Sequence, residues 1–60
     1  MPHITVKGPP VSVDVKRDLA RRLTEAASAA YGIPKEKFMV HIGEYPRENT
    51  ATAGVLLVDK

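Results

Sequence analysis

Residues 13–31 constrain the fold more than any other part of the chain, because they form its longest periodic segment. Apolar side chains recur there at steps of three and four residues, the spacing of one helix face: Val15, Leu19, Leu23, Ala26, Ala27 and Ala30. Ser12 occupies the position of an N-cap, and Gly32 followed by Pro34 is typical of a helix end. These signals predict one long helix with its apolar stripe packed against another element.

Short strand patterns lie on both sides of this helix. Residues 3–7 alternate polar and apolar side chains, and residues 38–44 place Phe38, Val40 and Ile42 on one face. A strand, a helix and a second strand in this order predict a βαβ unit with parallel strands and a right-handed crossover. The sequence therefore indicates an α/β (α+β) fold in a single domain, residues 1–60.

The apolar run Val55-Leu56-Leu57-Val58 follows Gly54 near the end of the chain. In an isolated protomer, such a run would be an exposed apolar edge that is prone to association. We predict that it forms a short strand or hairpin and that it packs against another subunit.

The size of the chain points in the same direction. A domain of 60 residues buries only about 60% of its unfolded surface and is marginally stable alone. The chain has no cysteine, so disulfides cannot compensate. His3 and His41 are far apart in sequence and have no companions at ligand spacing, so we expect no metal. Association with other copies is the remaining way to stabilise the fold.

Charge and hydropathy exclude several classes of function. The net charge is only +2, and the basic cluster Lys16, Arg17, Arg21 and Arg22 gives weak support for nucleic-acid binding. Asp18 is spaced to pair with Arg22. No apolar run approaches the roughly 20 residues of a membrane span, and the N-terminus lacks the pattern of a signal peptide. We expect a cytoplasmic protein without nucleic-acid or membrane partners.

Pro2 allows two interpretations. Proline is tolerated at the start of a strand, which would make it purely structural. Removal of Met1 would instead leave its ring nitrogen as a free amine, and α-amino groups titrate near 7.7–8.0, close to neutral pH. Such an amine suits proton transfer. His41, on the less apolar face of its strand, is more readily interpreted as a structural or surface histidine than as a catalytic one.

Several segments together resemble the 4-oxalocrotonate tautomerase family, and the likeness covers essentially the whole chain. The most specific pieces are Pro2, Leu23-Thr24-Glu25-Ala26, Tyr31-Gly32-Ile33-Pro34 and Val40-His41-Ile42-Gly43-Glu44. Gly8-Pro9-Pro10 and residues 44–49 are similar to the branch called DmpI.

The resemblance implies a tautomerase/MIF-like fold in which βαβ protomers pair into four-stranded dimers and then assemble as trimers of dimers. It implies that Pro2, exposed by loss of Met1, is the general base of an isomerase. The implied reaction moves a proton within a 2-hydroxydienoate or related enol acid and yields the conjugated 2-oxo acid. The implied chemistry needs no metal or organic cofactor.

The sequence departs from the family at the substrate-binding positions. Two arginines of the best-known members are replaced by Val11 and Met39, and an aromatic residue is replaced by Thr50. We expect Met39, Thr50 and His41 to line the substrate site. The replaced arginines favour a smaller or less charged enol substrate, or a promiscuous phenylpyruvate-type tautomerase. Candidates for the missing positive charge are Lys7, Lys16, Arg17, His41 and Arg47. A catalytically inert assembly or binding protein with the same fold is the alternative.

Overall fold

The computed structural model describes residues 1–60. One long helix, two strands of six residues and a C-terminal hairpin form the protomer. The elements are β1 (His3–Gly8), α1 (Val13–Tyr31), β2 (Met39–Glu44), β3 (Ala51–Thr52) and β4 (Val55–Leu56). Short 3₁₀ turns span Lys35–Lys37, Arg47–Asn49 and Leu57–Asp59. No helix is long and apolar enough to cross a membrane.

The two long strands form a parallel pair joined by the helix, as predicted. Their register runs from His3 opposite Met39 to Gly8 opposite Glu44. The second strand begins at Met39 rather than at Phe38, so the predicted bound was one residue too early. The physical reason is the 3₁₀ turn before the strand, because the Phe38 amide donates to the Lys35 carbonyl, 3.1 Å away, instead of joining the sheet.

Both predicted helix caps are present. Ser12 has extended backbone angles, and its Oγ accepts a hydrogen bond from the Val15 amide at 3.2 Å. Gly32 adopts the left-handed conformation, φ 71°, and its amide donates to the Ser28 carbonyl at 2.9 Å. Each cap satisfies a backbone group that the helix itself leaves unpaired, which fixes where the helix begins and ends.

The helix covers one face of the sheet. That face carries Ile4, Val6, Val40 and Ile42, all half-buried, whereas the alternate residues point to the uncovered outer face. Phe38 is the only buried residue, with 9% of its surface exposed. Its ring meets the Tyr31 ring edge to face, with centroids 5.7 Å apart.

Only part of the predicted apolar stripe is covered within the protomer. Leu19, Leu23 and Ala27 are half-buried, whereas Val15, Ala26 and Ala30 remain exposed. The helix therefore presents a second apolar strip that its own sheet does not cover.

The protomer is also unusually flat. It measures 43 × 24 × 14 Å, and its radius of gyration is 14.7 Å, against about 10 Å for a compact chain of this length. Ten large apolar side chains are exposed: Met1, Val11, Val13, Val15, Tyr31, Met39, Tyr45, Val55, Leu56 and Val58. A protomer of this shape has too little interior to bury its own apolar surface.

The predicted C-terminal hairpin is present and tight. Ala51 pairs with Leu56 and Thr52 pairs with Val55 in antiparallel register. The two turn residues between the strands, Ala53 and Gly54, both have positive φ, 52° and 78°. This is the pattern of a type I′ turn, whose twist matches that of the strands it joins. Beyond β4 the Leu57 amide donates to the Thr50 carbonyl at 2.8 Å, which holds the end of the chain against the start of the hairpin.

Candidate active site

Pro2 lies directly before β1 and is half-buried. Its carbonyl accepts a hydrogen bond from the Met39 amide at 3.0 Å, so the first residue of β2 is fixed beside it. The Met39 side chain is 42% exposed. The structure therefore brings together two of the predicted site residues, Pro2 and Met39, at the amino ends of the parallel strands.

His41 lies on the outer sheet face near the same end. Its Nε2 is 3.1 Å from Nδ1 of His3, the residue after Pro2. The ring planes differ by 11° and the centroids are 5.3 Å apart. The centroid distance is about what two rings give when they meet edge to edge through these two nitrogens. The two rings therefore lie nearly in one plane. One ring donates its N–H to the other, and the accepting nitrogen carries no proton.

The sequence reasoning missed this contact because it treated the two histidines as remote. The available signal was strand alternation, since positions 3 and 41 both fall on outer-face positions of neighbouring strands. The register, in which Thr5 is opposite His41, makes His3 and His41 diagonal neighbours.

A concave cavity of 720 Å³ opens at the other end of β1. Nine residues line it: Lys7, Gly8, Pro9, Tyr45, Arg47, Asn49, Thr50, Ala51 and Leu57. Thr50 is the one predicted substrate-binding residue among them. Pro2 lies six residues before Gly8 along the strand, roughly 20 Å at 3.3 Å per residue. Within one protomer, the predicted site residues therefore lie in two separate regions, Pro2 and Met39 at the amino ends of the strands and Thr50 in the cavity.

Two of the five candidate cations form ion pairs, and a third is hydrogen-bonded to another imidazole. Lys16 donates to Glu44 with Nζ 2.6 Å from Oε1, Arg17 pairs with Asp14, and His41 contacts His3. The hydrogen bond from Lys16, followed by that from the Val11 amide at 3.1 Å, holds the pKa of Glu44 below its usual value. This carboxylate therefore ties the helix and the segment before it to the end of β2.

Lys7 and Arg47 have no carboxylate partner in the protomer, and both line the cavity. Arg47 donates through one terminal nitrogen to the Leu57 carbonyl at 2.5 Å. This bond fixes the guanidinium at the cavity wall and leaves its other N–H groups available.

The basic cluster on the helix is neutralised by its own neighbours. Asp18 accepts hydrogen bonds from Arg21 at 2.6 Å and from Arg22 at 2.9 Å, and Arg21 also pairs with Glu25 at 3.2 Å. The hydrogen bond from Arg21 is the main reason that the pKa of Asp18 is lowered. The predicted pair Asp18–Arg22 is present. No group of three or more histidine or carboxylate side chains is placed to hold a metal ion.

Comparison with known proteins identifies the family. Residues 2–60 match the family described as "Tautomerase enzyme". The 2-hydroxymuconate tautomerase of Bacillus subtilis (strain 168) is 38% identical, over 98% of this chain and 97% of that protein. The chain belongs to the tautomerase family and is an isomerase, as the resemblance implied.

Solved structures agree with this assignment. DmpI from Archaeoglobus fulgidus is 36% identical, with a TM-score of 0.87 over 97% of this chain and 100% of that chain. A heterohexamer 4-oxalocrotonate tautomerase from Chloroflexus aurantiacus J-10-fl is 29% identical, with a TM-score of 0.78 over 97% of this chain and 92% of that chain. The predicted tautomerase fold is confirmed.

Proposed function

We propose that the mature chain begins at Pro2 and that its amine is the general base of a cofactor-independent keto–enol tautomerase. The substrate class is a 2-hydroxydienoate or a related enol acid. The amine accepts a proton from the substrate, and a proton is then returned to a carbon atom of the substrate. The product, the conjugated 2-oxo acid, is an isomer of the substrate. The amine is left unprotonated, as it began.

The position of Pro2 is the observation that carries this proposal. It is half-buried beside Met39, and it directly follows Met1, which is usually removed when the next residue is small. Partial burial disfavours the charged form of an amine. Reference α-amino groups titrate near 7.7–8.0, and an amine of this kind is suited to repeated proton transfer.

Met39 and His41 are the proposed substrate contacts on the protomer that supplies Pro2. Met39 is fixed next to Pro2 by the backbone hydrogen bond, and His41 contacts the adjacent His3. Thr50 lies in the cavity at the far end of β1. If Thr50 contacts the same substrate molecule, it must come from another protomer.

We further propose a homohexamer built as a trimer of dimers. The flat shape and the ten exposed apolar side chains support association. The heterohexameric relative described above supports this number of subunits.

Mass spectrometry and kinetics together test the proposal. The purified protein should lack Met1. Replacing Pro2 with alanine should slow the ketonisation of phenylenolpyruvate and of 2-hydroxymuconate by about 10²–10⁴-fold, the usual contribution of a general base. Pro10→Ala is the matched control, because Pro10 is exposed and does not line the cavity. Size-exclusion chromatography should show the same assembly for both variants.

Retained Met1 in fully active protein would contradict the proposal, because an amide nitrogen cannot act as the base. So would a Pro2→Ala variant with unchanged rates. Rates no faster than buffer for both acids in the natural protein would instead favour the inert assembly protein.

A further inference from the structure

Three side chains with metal-binding atoms lie together on the outer sheet face, at the end of the strands next to Pro2. They are His3 of β1 and Met39 and His41 of β2, and all three are exposed. The register places His3 directly opposite Met39, so their side chains share one face of strands about 4.8 Å apart. His41 is two residues further along β2 and therefore lies on that face too. The outer face thus carries two imidazoles and one thioether as neighbours.

The two imidazoles are already spaced as metal ligands. Nδ1 of His3 and Nε2 of His41 are 3.1 Å apart. Two metal–nitrogen bonds of about 2.0 Å that end on atoms at this distance enclose an angle of about 100°, between the octahedral and the tetrahedral angle. Each ring can keep its proton on its other nitrogen, so both facing nitrogens are available as neutral donors. The rings meet edge to edge, so each must turn toward the ion, and exposed side chains change rotamer quickly.

Met39 decides which metal suits this set of ligands. A thioether is a soft ligand that selects Cu(I), whereas Mg²⁺ and Ca²⁺ need oxygen ligands. The other outer-face positions of the two strands, Thr5, Lys7 and Gly43, carry no carboxylate. A methionine side chain has three rotatable bonds, so the sulfur can reach an ion held between the two rings.

We propose that His3, Met39 and His41 form a Cu(I) site, with Nδ1 of His3, Nε2 of His41 and the thioether sulfur of Met39 as its ligands. The site lies on the outer sheet face, directly after Pro2. Binding of the ion requires neither the Pro2 amine nor an enol acid, so the site does not rest on the proposed function, and the proposed reaction needs no copper.

Anaerobic competition with bicinchoninate, a coloured chelator of Cu(I), tests the site in the natural assembly. The protein should take up one Cu(I) per protomer from the chelator. X-ray absorption at the copper edge should show both nitrogen and sulfur ligands. The chain has no cysteine and only two methionines, so a sulfur ligand must come from Met39 or from Met1.

Met39→Leu keeps the approximate volume of the side chain and removes the sulfur. It should weaken Cu(I) binding by at least roughly tenfold, the smaller of the losses seen when a residue that only orients a metal ligand is replaced, and the sulfur signal should disappear. His3→Gln and His41→Gln should each weaken binding by as much or more. Thr5→Ala is the matched control, because Thr5 lies opposite His41 on the same face and has no soft donor; it should bind Cu(I) like the unaltered protein. Circular dichroism checks that all four variants are folded.

Three results would overturn the inference: no uptake of Cu(I) from bicinchoninate, a sulfur signal that persists in Met39→Leu, or unchanged affinity in both glutamine variants. Keto–enol activity is measured separately, so failure to bind copper leaves the proposed reaction untouched. Loss of activity in Pro2→Ala with copper binding intact would likewise leave the Cu(I) site standing.

Discussion

The imidazoles of His3 and His41 form a hydrogen bond across the parallel strands, with Nδ1 and Nε2 3.1 Å apart, although the two residues are 38 positions apart in the chain. The bond lies on the outer sheet face, directly after Pro2. It needs one ring to act as a donor and the other as an acceptor.

We expect the two histidines to be energetically coupled. The variants His3→Ala and His41→Ala and the double variant form a double-mutant cycle. The double variant should lose about 0.5–1.5 kcal/mol less free energy of unfolding than the sum of the two single losses, which is the usual net value of a hydrogen bond. A cycle of His3→Ala with Asp14→Ala, a residue of the helix N-terminus, should be additive. Denaturant unfolding measures both cycles, and additive losses for His3 and His41 would contradict the coupling.

Glu44 should make stability depend on pH. Its pKa in the folded protein is lowered, first by the hydrogen bond from Lys16 and then by that from the Val11 amide, from an ordinary value of 4.5. The stabilisation is therefore complete above that ordinary value and is lost as the pH falls through the lower, folded-state pKa.

Thermal unfolding of Glu44→Gln tests this expectation. The difference in melting temperature between the unaltered protein and the variant should be largest at neutral pH and should shrink below about pH 4.5. Glu48→Gln is the control, because Glu48 forms no ion pair in the protomer. A difference that stays constant from neutral to acid pH would contradict the assigned role of Glu44.

Phe38 should matter more to stability than any other single side chain, because it is the one residue in the buried class. Phe38→Ala should lower the free energy of unfolding by about 3–5 kcal/mol, which is comparable to everything a core of this size supplies. Tyr31→Ala removes the partner ring, but Tyr31 is 65% exposed, so its loss should cost clearly less. Circular dichroism with denaturant compares the two variants, and equal losses would contradict this reasoning.

If the protomers associate, the thermal stability of the protein should depend on its concentration. Because the protomer buries little apolar surface alone, the melting temperature should rise with each tenfold increase in protein concentration. Val15→Glu should weaken this dependence, since Val15 is an exposed member of the helical stripe, 50% accessible. Asp14→Glu is the control beside it. A melting temperature independent of concentration, together with a monomeric mass by light scattering, would contradict the proposed assembly.

The sequence predicted the local elements well because their signals are local. Ser12 and Gly32 mark the helix ends through hydrogen bonds to residues three or four positions away. Alternation and Gly54 were enough to predict the strands and the hairpin. The bounds were less exact: β1 extends one residue further, to Gly8, β2 begins one residue later, at Met39, and β4 ends at Leu56 because Leu57–Asp59 form a 3₁₀ turn.

The location of the candidate site could be predicted only in part. Pro2 stood out by its chemistry, since few residues offer an amine that titrates near neutral pH. The sequence did not show which cation could supply the missing positive charge, because it offered five candidates with nothing to distinguish them. The structure pairs Lys16, Arg17 and His41 and leaves Lys7 and Arg47 at one cavity.

The sequence by itself determined the helix, its caps and the βαβ order. Only the tertiary structure decided that His3 meets His41, that Glu44 binds Lys16, and that Thr50 lies far from Pro2. The reason is physical. Caps and periodicity act within a few residues, whereas these contacts depend on the register between strands that the helix separates, and on which side chains that register places on the same face.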